Sequence, residues 1–340
     1  MPISLPTIGA LPAGPRNSIT DVAGVTVGHA TIAGGDIQTG VTVVRPHAGD
    51  PFVDKVPAAC AVINGFGKSI GLVQVEELGV LETPIALTNT FAVGAVAQAQ
   101  IRQAVAANPQ IGRTWSTVNP LVFECNDGYL NDLQAFAVQD VHYEAAYAAA
   151  AEMFEQGAVG AGRGMSSFGV KGGICSASRV ATLADGTQRT VGALVLSNFG
   201  VTENLTLAGR HVGRELAKAL AAEPGPEKGS IIMLLATDAP LDARQLRRLA
   251  LRAGAGLART GSVYGHGSGD IALAFSTAYT VPHQGTRAMP ATAMTHESHL
   301  DPLFQAAADS VEQAIVHALF HAEAVTGRDG NTRRALTELI

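Results

Sequence analysis

Four short stretches of this sequence carry side chains able to do acyl chemistry. Gly229-Ser230 ends a polar, turn-rich segment, Glu223-Pro224-Gly225-Pro226-Glu227-Lys228, and the apolar run Ile231–Ala236 follows at once. A serine at the mouth of a buried strand, preceded by a residue without a Cβ, could attack the Gly229 carbonyl and convert that amide to an ester. Water would then free Ser230 with a new α-amine, whose reference pKa of about 7.7–8.0 suits a general base near neutral pH. One residue would supply both nucleophile and base. The same dipeptide also suits a plain turn entering a strand.

Ser268-Gly269-Asp270 lies in a glycine-rich loop before a second apolar run, Ile271–Phe275. Residues two apart share a face once a strand begins, so a hydroxyl and a carboxylate could polarise a nearby nucleophile and orient its amine. A tight hairpin with Asp270 capping a turn fits equally well. Glu124 follows the apolar Leu121–Phe123, at a strand end where a carboxylate could clamp a substrate ammonium. The Asn126–Asp132 segment beyond it is also ordinary turn chemistry, with Asp127 and Asn131 bonding local backbone. Asn198 ends the apolar run that starts at Val191; its amide could donate to a developing oxyanion, or could simply start a turn.

These residues need elements to hold them. Runs rich in β-branched residues predict strands over Val25–His29, Val41–Arg45, Ala59–Asn64, Ile85–Thr90, Val191–Ser197, Ile231–Ala236 and Ile271–Ser276. Ala-rich stretches predict helices over Ala92–Ala107, Glu144–Gln156, Ala208–Ala222, Asp242–Arg259 and Pro302–Ala324. Asp242 is a fitting N-cap, and Leu246, Leu249, Ala250 and Leu257 fall on one helix face. No repeat or long linker divides the chain. One layered α/β or α+β domain over residues 1–340 is expected.

Composition narrows the function classes. With 47% hydrophobic and 15% charged residues, the 340-residue chain can build a large core and is not a disordered polymer. Net charge is −6 and no Lys/Arg run occurs, which argues against nucleic acid as a partner. No apolar run reaches the roughly 20 residues that span a bilayer, so no membrane partner is expected. Cys60, Cys125 and Cys175 are odd in number and widely spaced, which suits neither a disulfide framework nor a zinc site and points to a cytoplasmic setting. Cys125 reads as a small buried residue beside Glu124. His296/His299 and His317/His321 have ligand-like spacing but no HExxH pattern, so surface or capping roles are expected. Lys171, beside Gly172 and Gly173, could recognise an anion or position backbone.

Taken in order along nearly the whole chain, these pieces resemble the L-aminopeptidase/D-amidase-esterases and β-peptidyl aminopeptidases, the DmpA family. The resemblance runs through Asn17–Val22, Val27-Gly28-His29, Leu81–Thr90, Asn126–Asp132, Gly160–Met165 and Phe168–Ile174, and ends on Gly229-Ser230 and Ser268-Gly269-Asp270. It implies a four-layer αββα sandwich, similar to Ntn hydrolases in architecture but with different strand connections. It implies self-cleavage into residues 1–229 and 230–340, no metal or organic cofactor, and a homo-oligomer of processed units. By the same resemblance Ser230 is the nucleophile, Ser268 and Asp270 its supporting pair, and Asn198 the oxyanion-hole asparagine. Glu124 receives the substrate's free amine, with Asn126 beside it. Some members carry glutamate where this chain has Asp270.

The activity implied is hydrolysis of short peptides, amino-acid amides or esters with a free amino end, D-alanyl and β-amino-acid substrates among them. Two alternatives use the same scaffold. An acyltransferase would pass the acyl group to an amine; similar ornithine acetyltransferases use threonine at the cut. An uncleaved binding protein would have lost the chemistry.

Overall fold

The computed structural model describes residues 4–220 and 229–340. Among these residues, nine strands and six helices build the layers. In chain order they are β1 (Thr26–Gly34), β2 (Ile37–Arg45), β3 (Asp54–Gly65), α1 (Leu72–Leu78), β4 (Ile85–Asn89), α2 (Val93–Ala107), β5 (Leu121–Cys125) and α3 (Asp140–Ala148). There follow β6 (Gly173–Thr182), β7 (Gln188–Asn198), α4 (Gly213–Ala219), β8 (Ser230–Thr237), α5 (Ala243–Arg259), β9 (Gly269–Ser276) and α6 (Asp301–His321).

The smaller sheet has the order β1-β2-β4-β5, and the larger runs β3-β9-β8-β7-β6 with two-residue strands pairing on β3. Most neighbours are antiparallel. Two pairs are parallel, β4 with β5 and β8 with β9. Parallel neighbours need a crossover, and α2 and α5 supply it.

Period-two alternation divides the core into three. On β8, Ile232, Leu234 and Ala236 face one way and join Leu87, Phe123 and Cys125 from the smaller sheet, which closes the space between the sheets. Ile231, Met233 and Leu235 face the other way, onto Leu249 and Ala253 of α5 and Ile315 and Leu319 of α6. Val43, Ala86 and Val122 on the outer face of the smaller sheet meet Val96 of α2 and Tyr143 of α3. The layers are therefore helix, sheet, sheet, helix, as expected. Each fully buried Ile or Leu contributes about 1.5–3 kcal/mol to holding them together.

Helix starts follow local chemistry. Asp242 Oδ1 accepts from the Gln245 main-chain N–H at 2.7 Å, and the Gln245 side chain accepts in return from Asp242 N, so the expected cap is a full capping box. Two expected helices are shorter than predicted. α3 covers Asp140–Ala148 and not Glu144–Gln156, because Ala151 leaves the helix to pair with Val27 of β1. α4 covers Gly213–Ala219, since residues 206–211 form a small antiparallel pair. The end of that predicted helix and the segment Glu223–Lys228 lie outside the described residues.

Two local expectations change. His317 is buried, and its Nδ1 bonds the Ser176 carbonyl at 2.7 Å; burial pushes its pKa down to about 4. It is a core histidine, not a surface one. Lys171 is fully buried on main-chain carbonyls, which removes the anion-recognition alternative. The three cysteines are free and buried. Among the described residues, no helix is long and apolar enough to cross a membrane, and no group of three or more His, Cys, Asp or Glu could hold a metal ion.

Candidate active site

Strand register brings the four stretches to one end of the two sheets. Asn198, the last residue of β7, pairs with Ser230, the first of β8. On the other side Ser230 pairs with Gly269, the first residue of β9. Gly269 pairs in turn with Gly65, the last residue of β3. By alternation with Ile232, Ser230 directs its hydroxyl between the sheets. There the Gly269 main-chain N–H donates to Ser230 Oγ at 3.2 Å.

The glycines at this end are required by contact. A methyl on Gly229 would lie 2.2 Å from the Asn198 carbonyl oxygen. A methyl on Gly269 would lie 2.6 Å from the Phe66 carbonyl oxygen and 3.1 Å from Ser230 Oγ. Only a residue without Cβ lets the backbones meet at those distances.

Ser268 and Asp270 are bonded to each other: Ser268 Oγ donates to Asp270 Oδ1 at 2.6 Å, and both residues are buried. A hydroxyl that donates its only proton to a carboxylate keeps its oxygen as an acceptor for a further N–H. The turn that carries Ser268 is held from β3. Asn64 Nδ2 donates to the carbonyls of Gly265 and Ser268 at 2.7 and 2.6 Å. A bulge places Asp270 opposite Asn64 and Ile271 opposite Val62, so β3 carries one extra residue just where it reaches the site.

Glu124 reaches the same place from the smaller sheet. It is 3% exposed; its Oε1 accepts from the Lys68 main-chain N–H at 2.8 Å, and its Oε2 accepts from the Thr90 hydroxyl. The 65–68 loop that leaves β3 bridges the two sheets. A carbon added to Gly67 would sit 3.5 Å from Glu124 Oε1 and 4.0 Å from Gly269 Cα. The carboxylate and the Ser230–Gly269 pair thus flank one narrow space.

Asn198 is locked at both ends of its amide. Oδ1 accepts from the Ser166 main-chain N–H at 2.8 Å, and Nδ2 donates to the Asn126 carbonyl at 2.9 Å. An amide nitrogen has two N–H groups, so a second donor is available. Asn126 reaches Asn198 through its main-chain carbonyl, and its side-chain Oδ1 accepts from Gly128 N at 2.9 Å. Just beyond, Asp127 is fully buried. Burial pushes its carboxyl up to about 7, against the pull of bonds from Thr39 and Asn131 and the charge of Lys171.

The structure therefore brings Ser230, Ser268, Asp270, Asn198 and Glu124 together, with Asn126 present through its carbonyl. Gly269 N–H, Asn64, Thr90 and Ser166 N–H were not singled out from sequence. Asn64 and Thr90 end two predicted strands, and that terminal placement was the only signal available. The two main-chain donors leave no mark on residue type.

Known proteins match this architecture. The sequence pattern of peptidase family S58 matches residues 17–333. A β-peptidyl aminopeptidase of Sphingosinicella xenopeptidilytica, BapA, is 39% identical over 336 residues, covering 92% of this chain and 83% of that protein. The crystal structure of the PH0078 protein from Pyrococcus horikoshii superposes with a TM-score of 0.92 at 48% identity, over 98% of this chain and 94% of that one. The L-aminopeptidase D-Ala-esterase/amidase of Ochrobactrum anthropi, described as a prototype serine aminopeptidase with a variant Ntn-hydrolase fold, superposes with a TM-score of 0.89 at 36% identity, with the same coverage. With its αββα layers and these relatives, the chain belongs to peptidase family S58 and is a hydrolase.

Proposed function

We propose that the chain is an aminopeptidase that cuts itself before Ser230 and then uses Ser230 as an N-terminal nucleophile. The observation that carries this reading is the placement of Ser230 at the first position of β8, between Asn198 and Gly269, with the Gly269 N–H on its Oγ.

In the first step Ser230 Oγ attacks the Gly229 carbonyl, the C–N bond breaks, and the chain ahead is held as an ester. Water then releases the Gly229 carboxylate and leaves Ser230 with a free α-amine. In turnover, Glu124 holds the ammonium of a short peptide, amino-acid amide or ester, D-alanyl and β-amino-acid substrates included. The Ser230 α-amine takes the Oγ proton as Oγ attacks the substrate carbonyl. Its N–H is oriented by Ser268 Oγ, whose own proton rests on Asp270. The second Asn198 N–H meets the oxyanion. The α-ammonium gives its proton to the departing amine or alcohol, and water resolves the acyl ester. No metal or organic cofactor enters any step. The processed units are read as assembling into a homo-oligomer.

Intact mass with N-terminal sequencing of the purified protein tests the reading. A fragment ending at Gly229 and a second beginning Ser230-Ile231-Ile232 are expected, with hydrolysis of aminoacyl amides. For Ser230→Ala, one uncleaved and inactive chain is expected; normal processing in that variant would remove Ser230 from its role.

A further inference from the structure

Lys171 has no exposed surface, although it carries a group that almost never lies fully buried without partners. Its Nζ donates to three main-chain carbonyls, Gly162 at 3.0 Å, Met165 at 2.8 Å and Gly172 at 2.7 Å, which uses all three ammonium donors. Those carbonyls bracket a short loop, and that loop abuts the end of β7. A methyl on Gly172 would stand 2.3 Å from the Ser197 carbonyl oxygen. Ser167 Oγ and Ser197 Oγ share a hydrogen bond of 2.8 Å, and the Phe168 N–H donates to the Phe199 carbonyl at 2.9 Å. Between these contacts, the Ser166 N–H donates to Asn198 Oδ1. The orientation of the Asn198 amide is thus set by a loop whose shape is set by Lys171.

We propose that Lys171 is a positioning residue for catalysis, holding the 162–172 loop so that the Ser166 N–H fixes Asn198 with its amide nitrogen toward the reacting carbonyl. This role for Lys171 rests on the proposed oxyanion role of Asn198. It predicts that loss of Lys171 harms the transition state and leaves substrate binding at Glu124 intact, because Glu124 is held separately by Lys68 N and Thr90. Misplacing a catalytic donor by about 1 Å can cost on the order of a hundredfold.

The test compares Lys171→Met with Arg179→Met, using an aminoacyl amide and counting rate per processed molecule by intact mass. Arg179 is a second fully buried cation, bonded to the Ile8 and Ser178 carbonyls, to Asn17 and to Gln313, and none of these partners belongs to the site. Expected is a fall in kcat of roughly a hundredfold for Lys171→Met with KM within about twofold, while Arg179→Met loses thermal stability and keeps kcat. Full kcat in Lys171→Met, or an equal loss in both variants, overturns the proposal. Should Lys171→Met fail to fold, Lys171→Gln, which keeps a donor of shorter reach, enters the same comparison with the same two outcomes. Asn198→Ala run alongside separates the two ideas: full kcat in that variant overturns the oxyanion reading itself, whatever Lys171 does.

Discussion

The site is assembled from opposite ends of two similar units. In the smaller sheet, the parallel pair β4 and β5 with its crossover α2 presents its C-terminal end, which carries Thr90 and Glu124. In the larger sheet, the parallel pair β8 and β9 with its crossover α5 presents its N-terminal end, which carries Ser230 and Gly269. Parallel strands usually offer ligands their C-terminal end, where the loops are free to vary. If Ser230 becomes the first residue of a chain, as proposed, it cannot sit there, because after the cut it has a strand after it and nothing before it. On the proposed reading the two ends divide the labour: one recognises a charge, the other breaks a bond.

That division can be broken or sharpened by substitution. The largest effect is expected at the β9 end. Asp270→Asn should lower kcat by roughly 10²–10³-fold with little change in KM, since the Ser268 hydroxyl loses the charged carboxylate that accepts its hydrogen bond. Unchanged steady-state kinetics would take the carboxylate out of the bond-breaking end. Gly269→Ala comes next. Its methyl meets the Phe66 carbonyl and Ser230 Oγ, so a kcat loss of about a hundredfold is expected. A variant as fast as the parent would mean that the Gly269 N–H is a spectator.

At the β5 end the effect should move to KM. Glu124→Gln should raise KM by roughly ten- to a hundredfold for a free-amine substrate, and much less for its N-acetylated counterpart. Equal shifts for both substrates would end the assignment of recognition to this end. The smallest effect concerns stability at Asp127. Its folded pKa of about 7 lies above the ordinary 3.8, so its protonated form favours folding. That contribution is fully present below about 3.8 and is lost as pH rises through about 7. Asp127→Asn, which keeps an acceptor for Asn131, should raise the thermal midpoint relative to the parent by a few degrees at pH 8 and hardly at all at pH 4. An equal shift at both would show that Asp127 ionises freely in the fold.

What could be read from residues alone followed burial. Apolar runs marked β8 and β9 because both faces of those strands are covered; Ser230 and Asp270, expected just ahead of the runs, are the first residue of β8 and the second of β9. β6 escaped because Ser176, Ser178 and Arg179 make it look polar. Each is buried on a partner far off in sequence: Ser176 Oγ donates to the Ala193 carbonyl, Ser178 Oγ to Asp21 and Arg179 to the Ile8 carbonyl. No local pattern records such pairings. The Ser268–Asp270 bond was legible, since it joins residues two apart. The Gly269–Ser230 bond was not, because a main-chain donor 39 residues away leaves no trace in composition.

The order β3-β9-β8-β7-β6 has one more consequence. The two strands that follow Gly229 lie in the middle of the larger sheet, zipped to β7 on one side and β3 on the other, and both of those precede Gly229. A chain severed before Ser230 would stay interlocked. Dilution should not part the pieces, and gel filtration should return them together. Once denatured, however, they must find each other again. Refolding of the severed form should then depend on protein concentration, while the uncut Ser230→Ala chain refolds at a rate independent of it. The severed molecule would hold together as one body and yet, once unfolded, need two pieces to meet where one chain sufficed before.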